Sequence, residues 1–222
     1  MNARSTGPAG GSGSTTPTSA QILRSRLTLL FIVAFCIAPF TLGDLAYKHG
    51  WFQGVPKTNK GELLNPPVAL ADLHLQGADG KALTPAFLDR RWWLVYVLPA
   101  RCDAACRNSL FQMRQVRRAS GAEADRVKLV LVQPQAPDAD TQALLDKEFP
   151  DMKRVSGVAA DIDQALSAAT AGAAGAGRLY IMDPRGFIML SYLPVADEKT
   201  SILKAQDVLD DLKKLLGNSQ IG

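Results

Sequence analysis

The sequence predicts an α/β fold, a mixed sheet with flanking helices, preceded by one N-terminal transmembrane helix. Three observations carry this. Leu27 to Leu42 (LTLLFIVAFCIAPFTL) is an uncharged apolar run close to the length a bilayer asks for. Two more apolar runs, Trp92 to Leu98 and Val127 to Val132, are short and continuous, as in strands buried on both faces of a sheet. Around them lie stretches with apolar residues at helical spacing, so strands and helices alternate along the chain.

Residues 1–20 consist almost wholly of Gly, Ser, Thr, Pro and Ala and cannot bury enough apolar surface to order themselves. They are expected to be a disordered cytoplasmic tail. Residues 21–48 form the anchor. Ile22 and Leu23 extend the apolar run on one side and Leu45 to Tyr47 on the other, while Arg24 and Arg26 snorkel to the headgroups. Pro39 kinks the helix near its outer end, and Trp51 and Phe52 stand where an interfacial aromatic belt belongs. No A-x-A pattern follows Leu42, and Phe35, not a small residue, precedes Cys36. The segment therefore reads as an uncleaved anchor, with Cys36 as a small apolar filler within it. Arginines on its N-terminal side place the N-terminus in the cytoplasm. The expected location is a bacterial inner membrane, crossed once, with the C-terminal domain in the periplasm.

The formal charge of +4 belongs largely to the anchor's flanks; from residue 50 onward 21 Lys and Arg face 20 Asp and Glu. A near-neutral domain argues against nucleic-acid binding. Residues 49–66 are expected to be a linker and 67–222 the folded domain. Within it, Val68 to Leu75 reads as a strand closed by the turn Gly77–Gly80, and Thr84 to Arg90 as a short helical patch with Pro85 in its first turn. Trp92 and Trp93 open the first buried strand and should pack on opposite sheet faces. Leu110, Met113 and Val116 mark a helix from Arg107 to Ala119. After the second buried strand, Thr141 to Phe149 is a helix capped by Asp140 or Thr141, and Ile162 to Thr170 another. Leu179 to Met182 and Phe187 to Tyr192, joined by Asp183-Pro184-Arg185-Gly186, form a hairpin. Ser201 to Leu216 closes the chain as an amphipathic helix with Ile202, Leu209, Leu212 and Leu216 inward. His74 reads as an ordinary strand residue, and Asp183 and Pro184 as turn builders.

The chemistry concentrates at Cys102 and Cys106, in PARCDAAC, between a buried strand and a helix. A helix N-terminus favours thiolate over thiol, and the thiolate is both nucleophile and metal ligand. Cysteines four apart on a helix share a face, with Cα atoms about 6 Å apart, within disulfide range. Cys102, beside Arg101, is the expected attacking thiol, with Asp103 opposing its ionisation; Cys106 is the more buried, resolving partner. Three uses of the pair stand open: a redox-active dithiol, a structural disulfide, or copper binding with a third ligand from elsewhere. Arg107, Arg114, Arg117 and Arg118 form a basic group on the same helix, either a solvated face or a surface that steers an acidic partner.

The element order, with cysteines at a strand–helix junction, resembles the thioredoxin fold. The C-x-x-x-C spacing, the single anchor, the start LHLQGADGKAL and the late LYIMDPRG are similar to the Sco/SenC group of membrane-anchored copper and redox proteins. The likeness spans roughly residues 65–216. It implies assistance in cytochrome c oxidase assembly, with the copper-site subunit II as partner, copper as the cofactor and Cys102 and Cys106 as its sulfur ligands. The chain departs from that group in having Asp103 after the first cysteine, where a proline is usual. It also has no histidine in Thr170–Gly177, where the third copper ligand is expected, and no proline there opposite the cysteines. The first functional expectation is thus an oxidase assembly factor working by thiol–disulfide chemistry. The alternatives are a general periplasmic thiol–disulfide oxidoreductase and a non-catalytic interaction module whose cysteines form a staple.

Overall fold

The computed structural model describes residues 19–49, 58–170 and 175–219. The expected tail lies outside them up to residue 18, as do Trp51, Phe52 and part of the Gly/Ala run. The chain divides into two units, residues 1–56 and 57–222.

In the first unit, helix α1 runs from Ser19 to Lys48 and contains Pro39. Its segment Leu23–Lys48 is long and apolar enough to cross a membrane. At about 1.5 Å per residue that segment exceeds the roughly 30 Å hydrocarbon core. Two hydroxyls in its apolar stretch are satisfied within the helix: those of Thr28 and Thr41 donate to the carbonyls of Arg24 and Ala38, as an apolar solvent requires. Cys36 is a free thiol on the exposed surface of the helix.

The second unit is one six-stranded mixed sheet with helices on both faces. The strands are β1 (Glu62–Ala69), β2 (Trp92–Val97), β3 (Val127–Gln133), β4 (Lys153–Ser156), β5 (Leu179–Met182) and β6 (Phe187–Tyr192), in the order β1-β6-β5-β2-β3-β4. β2, β3 and β4 are parallel and the rest antiparallel. The helices are α2 (Ala104–Ala119), α3 (Ala139–Glu148), α4 (Ala159–Ser167) and α5 (Glu198–Asn218).

Every residue of β2 is buried, and alternation divides them between two cores. Trp92, Leu94 and Tyr96 pack with Leu110, Met113 and Val116 of α2 and Leu209, Leu212 and Leu216 of α5. Trp93, Val95 and Val97 pack on the other face with Ile162 and Leu166 of α4 and with Leu73 and Leu75. The two tryptophans thus sit on opposite faces, as their adjacency requires.

Four local expectations are corrected. The first strand is Glu62–Ala69, not Val68–Leu75. Pro66, expected in the linker, and Pro67 sit on this edge strand where the register shifts between Leu63 and Val68, so their missing N–H groups break no ladder. After it the chain turns through a single 3-10 turn, Leu70–Leu73, and His74 adopts φ 46°, so it is a turn residue and not a strand residue. The cap of α3 is Asp138, whose carboxylate accepts from the Thr141 N–H. Strand β4 escapes notice because only Val155 of its four residues is buried. In α5 the inward stripe runs through Ser201, Val208, Leu209, Leu212 and Leu216, which leaves Ile202 exposed.

Candidate functional site

The site forms where β2 hands the chain to α2. Cys102 and Cys106 are joined as a disulfide, with Cα atoms 5.0 Å apart. Only Cys106 is helical. Cys102 lies outside, before the N-cap Asp103, so the expected pair on one helix face is instead a bond from the incoming loop to the third helical residue. The extended backbone of Asp103 makes this close approach. Its carboxylate accepts the Cys106 N–H at 3.0 Å, satisfying one of the donors that a helix start leaves open. Asp103 therefore fixes the helix start that carries the inner sulfur.

The two cysteines differ in access. Cys106 is 1% exposed and belongs to the core beneath α2, whereas Cys102 is only partly buried. Arg107 donates from Nη1 to the Cys102 carbonyl at 3.2 Å, which keeps a guanidinium beside the outer cysteine. Arg101 is exposed, and its charge falls on Asp138, helping to hold that carboxyl below the usual range after the hydrogen bonds from Thr141. Asn108 donates to the carbonyls of Val195 and Ala196, tying the β6–α5 loop to the first half of α2.

Opposite β2's end stands the segment before β5. Gly177 donates to the Val97 carbonyl at 2.7 Å and Val97 returns a bond to the Arg178 carbonyl. Gly177 has φ +85°, a conformation that favours glycine where the chain turns into this contact. Tyr180 clamps the same segment, its hydroxyl accepting the Gly175 N–H at 2.9 Å; burial raises its pKa to about 12. Arg178, nearly buried, donates to Glu62 at 2.8 Å and to Ser191, anchoring the segment to β1 and β6.

Beneath the disulfide lies a group the sequence did not single out. Tyr96 is wholly buried in the core that holds Cys106. Burial pushes its phenol well above the ordinary value, Ser109 opposes that by lowering it, and the Asp103 carboxylate adds to it. Its period-two position in an apolar strand made it look like packing alone.

Among the described residues no group of three or more His, Cys, Asp or Glu side chains could hold a metal. His74 faces Asp161 on the surface at 3.4 Å. Cys102 and Cys106 are bonded to each other, and among the described residues no histidine, aspartate or glutamate joins them as a third donor. Nor do the four arginines of α2 surround the cysteines: Arg107 touches Cys102, while Arg114 pairs with Glu148 and Arg117 donates to the Val127 carbonyl.

A family model described as transmembrane-like, thioredoxin-like, C-terminal domain matches residues 92–219. No curated protein of similar sequence matches the chain. Among solved structures it is similar to apo Sco1 of Thermus thermophilus, at 15% identity and TM-score 0.51, over 73% of this chain and 99% of that one. Copper-bound ScoI of Bradyrhizobium japonicum aligns at 21% identity and TM-score 0.39, over 63% and 96% of the two chains. A SCO1/SenC family lipoprotein from Bacillus anthracis aligns at 14% identity and TM-score 0.46, over 73% and 98%. These neighbours are Sco/SenC family proteins, and identities this low speak to the fold alone.

Proposed function

This chain belongs to the transmembrane-like, thioredoxin-like C-terminal domain family, and from that premise we propose that it is a membrane-anchored, periplasm-facing protein assisting cytochrome c oxidase assembly by thiol–disulfide chemistry. Its substrate in this reading is a disulfide between the copper-site cysteines of oxidase subunit II. The carrying observation is the unequal burial of the bonded pair, a partly exposed Cys102 backed by a buried Cys106 at a helix start.

In the reducing direction, the Cys102 thiolate attacks one sulfur of the client disulfide, forming a mixed disulfide and releasing the client's other sulfur as thiolate. The Cys106 thiolate then attacks Cys102 Sγ, closing the intramolecular bond and releasing the second client thiolate. Two electrons pass to the client, and a dithiol donor on the exported side restores the reduced pair. Only the accessible sulfur can meet a protein substrate, and only the buried neighbour can resolve the intermediate without competing for substrate.

A staple would act differently. A disulfide closing a loop of about five residues removes little chain entropy, contributing about 2 kcal/mol. The entry to α2 is already fixed by the Asp103 cap. Copper enters no step of this exchange.

The test is trapping. In cells, the Cys106→Ser chain should accumulate a mixed disulfide through Cys102, with subunit II as the captured protein, and oxidase activity should fall. Absence of any Cys102-dependent adduct, with normal oxidase activity, would refute thiol exchange; an adduct with many exported proteins would favour a general oxidoreductase.

A further inference from the structure

The arginines that fail to surround the cysteines build something else. The second half of α2, the end of α3 and the segment leading into β4 line a cavity of about 550 Å³. It continues past Arg117, Leu129 and Asp151 into a second of about 360 Å³ that reaches Lys128 and Lys153. This cleft opens at the N-terminal ends of β3 and β4, whereas the disulfide lies beyond the C-terminal end of β2. Arg117 is eleven residues past Cys106, about 17 Å along the helix.

The cleft has a cationic rim and an apolar floor. Buried Leu129, Phe149 and Met152 form the floor. Of the rim cations, Arg114 is held by Glu148 and lies over the rings of Phe111 and Phe149. Arg118 and Lys128 make no ion pair among the described residues, and Arg117 gives its Nε to a carbonyl. A domain that is near neutral as a whole thus concentrates unpaired positive charge around a cleft whose lining is more apolar than polar. That combination attracts carboxylates and offers their apolar neighbours a place to be buried. Asp89, Glu148 and Asp151 also line the cleft; they would repel a dense polyanion such as a nucleic acid or an anionic lipid sheet. A ligand with sparse charges avoids them.

We propose that this cleft binds a segment of a partner protein in which acidic and apolar side chains alternate. It is a second docking surface, separate from the cysteine pair and independent of thiol exchange. A client held here by one segment is tethered to the domain while another part of it meets Cys102, which raises the local concentration at the thiol.

The experiment uses the full chain in neutral detergent and a fluorescent eight-residue peptide of alternating Glu and Leu. The wild type should bind it and ignore the corresponding Lys–Leu peptide. Arg118→Glu with Lys128→Glu should weaken binding at least tenfold, and the milder Arg118→Gln with Lys128→Gln by less, with unchanged circular dichroism in both. Cys102→Ser with Cys106→Ser should bind as the wild type does, which separates this test from that of thiol chemistry. Equal affinity in the charge variants overturns the proposal. So does displacement of the peptide by an oligodeoxynucleotide or by phosphatidylglycerol at lower concentration than unlabelled peptide.

Discussion

At the scale of single residues, Asp103 has two opposed effects on the same helix start. Its carboxylate caps α2 through the Cys106 N–H, and its charge stands between the two cysteines. Replacing it by Asn keeps a capping oxygen and removes the charge. The reduced Asp103→Asn chain should therefore react several-fold faster with a small disulfide reagent at pH 7, with stability close to the wild type. Asp103→Ala should also react faster but lose about 1 kcal/mol of stability with the cap. Stopped-flow thiol kinetics and urea denaturation read the two effects; an unchanged rate in Asp103→Asn would mean that its charge does not reach the pair. The cysteines were legible in the sequence because their spacing and flanks are local. The position of Cys102 outside the helix was not, because spacing alone does not say which residue is the cap.

At the scale of elements, α5 is held to the start of β1 by one buried carboxylate. Asp211, 2% exposed, accepts the N–H groups of Lys60 and Gly61 and the Tyr192 hydroxyl. Burial and that same carboxylate push the Tyr192 phenol upward. Asp211→Ala leaves buried donors unpaired and should cost about 2–3 kcal/mol, seen as a lower urea midpoint of tryptophan fluorescence; a loss under 0.5 kcal/mol would contradict the role. Helix capping adds an acid dependence. Thr141 holds Asp138, and Thr200 holds Asp197, below the usual carboxyl range. With folded pKa values depressed, the unfolded chain binds more protons in acid. This contribution is complete above the unfolded value near 3.9 and is lost as pH falls through the folded values. Asp138→Asn with Asp197→Asn should flatten stability against pH between about 4 and 2. Strands β2, β3, β5 and β6 were legible because continuous apolar runs and a D-P-x-G turn are local signals. β1, β4 and the Asp211 network were not, since they depend on partners up to 151 residues distant in sequence.

At the scale of the whole molecule, a membrane-length helix precedes a thioredoxin-like domain whose outer cysteine is partly buried and whose inner cysteine is locked in the core. Fold class and the cysteine pair were readable because hydrophobic periodicity and residue spacing encode them. The cationic cleft was only half readable: four arginines on one helix were visible, but the α3 end and the segment leading into β4 that complete it are brought there by the fold. The central claim is that the bond between Cys102 and Cys106 is made to be exchanged. Its reduction potential, measured on the full chain in glutathione or dithiothreitol redox buffers, tests this most directly. A value above about −300 mV, within reach of exported thiol donors, is the predicted result; a value at or below that level is the signature of a structural bond and would contradict the account.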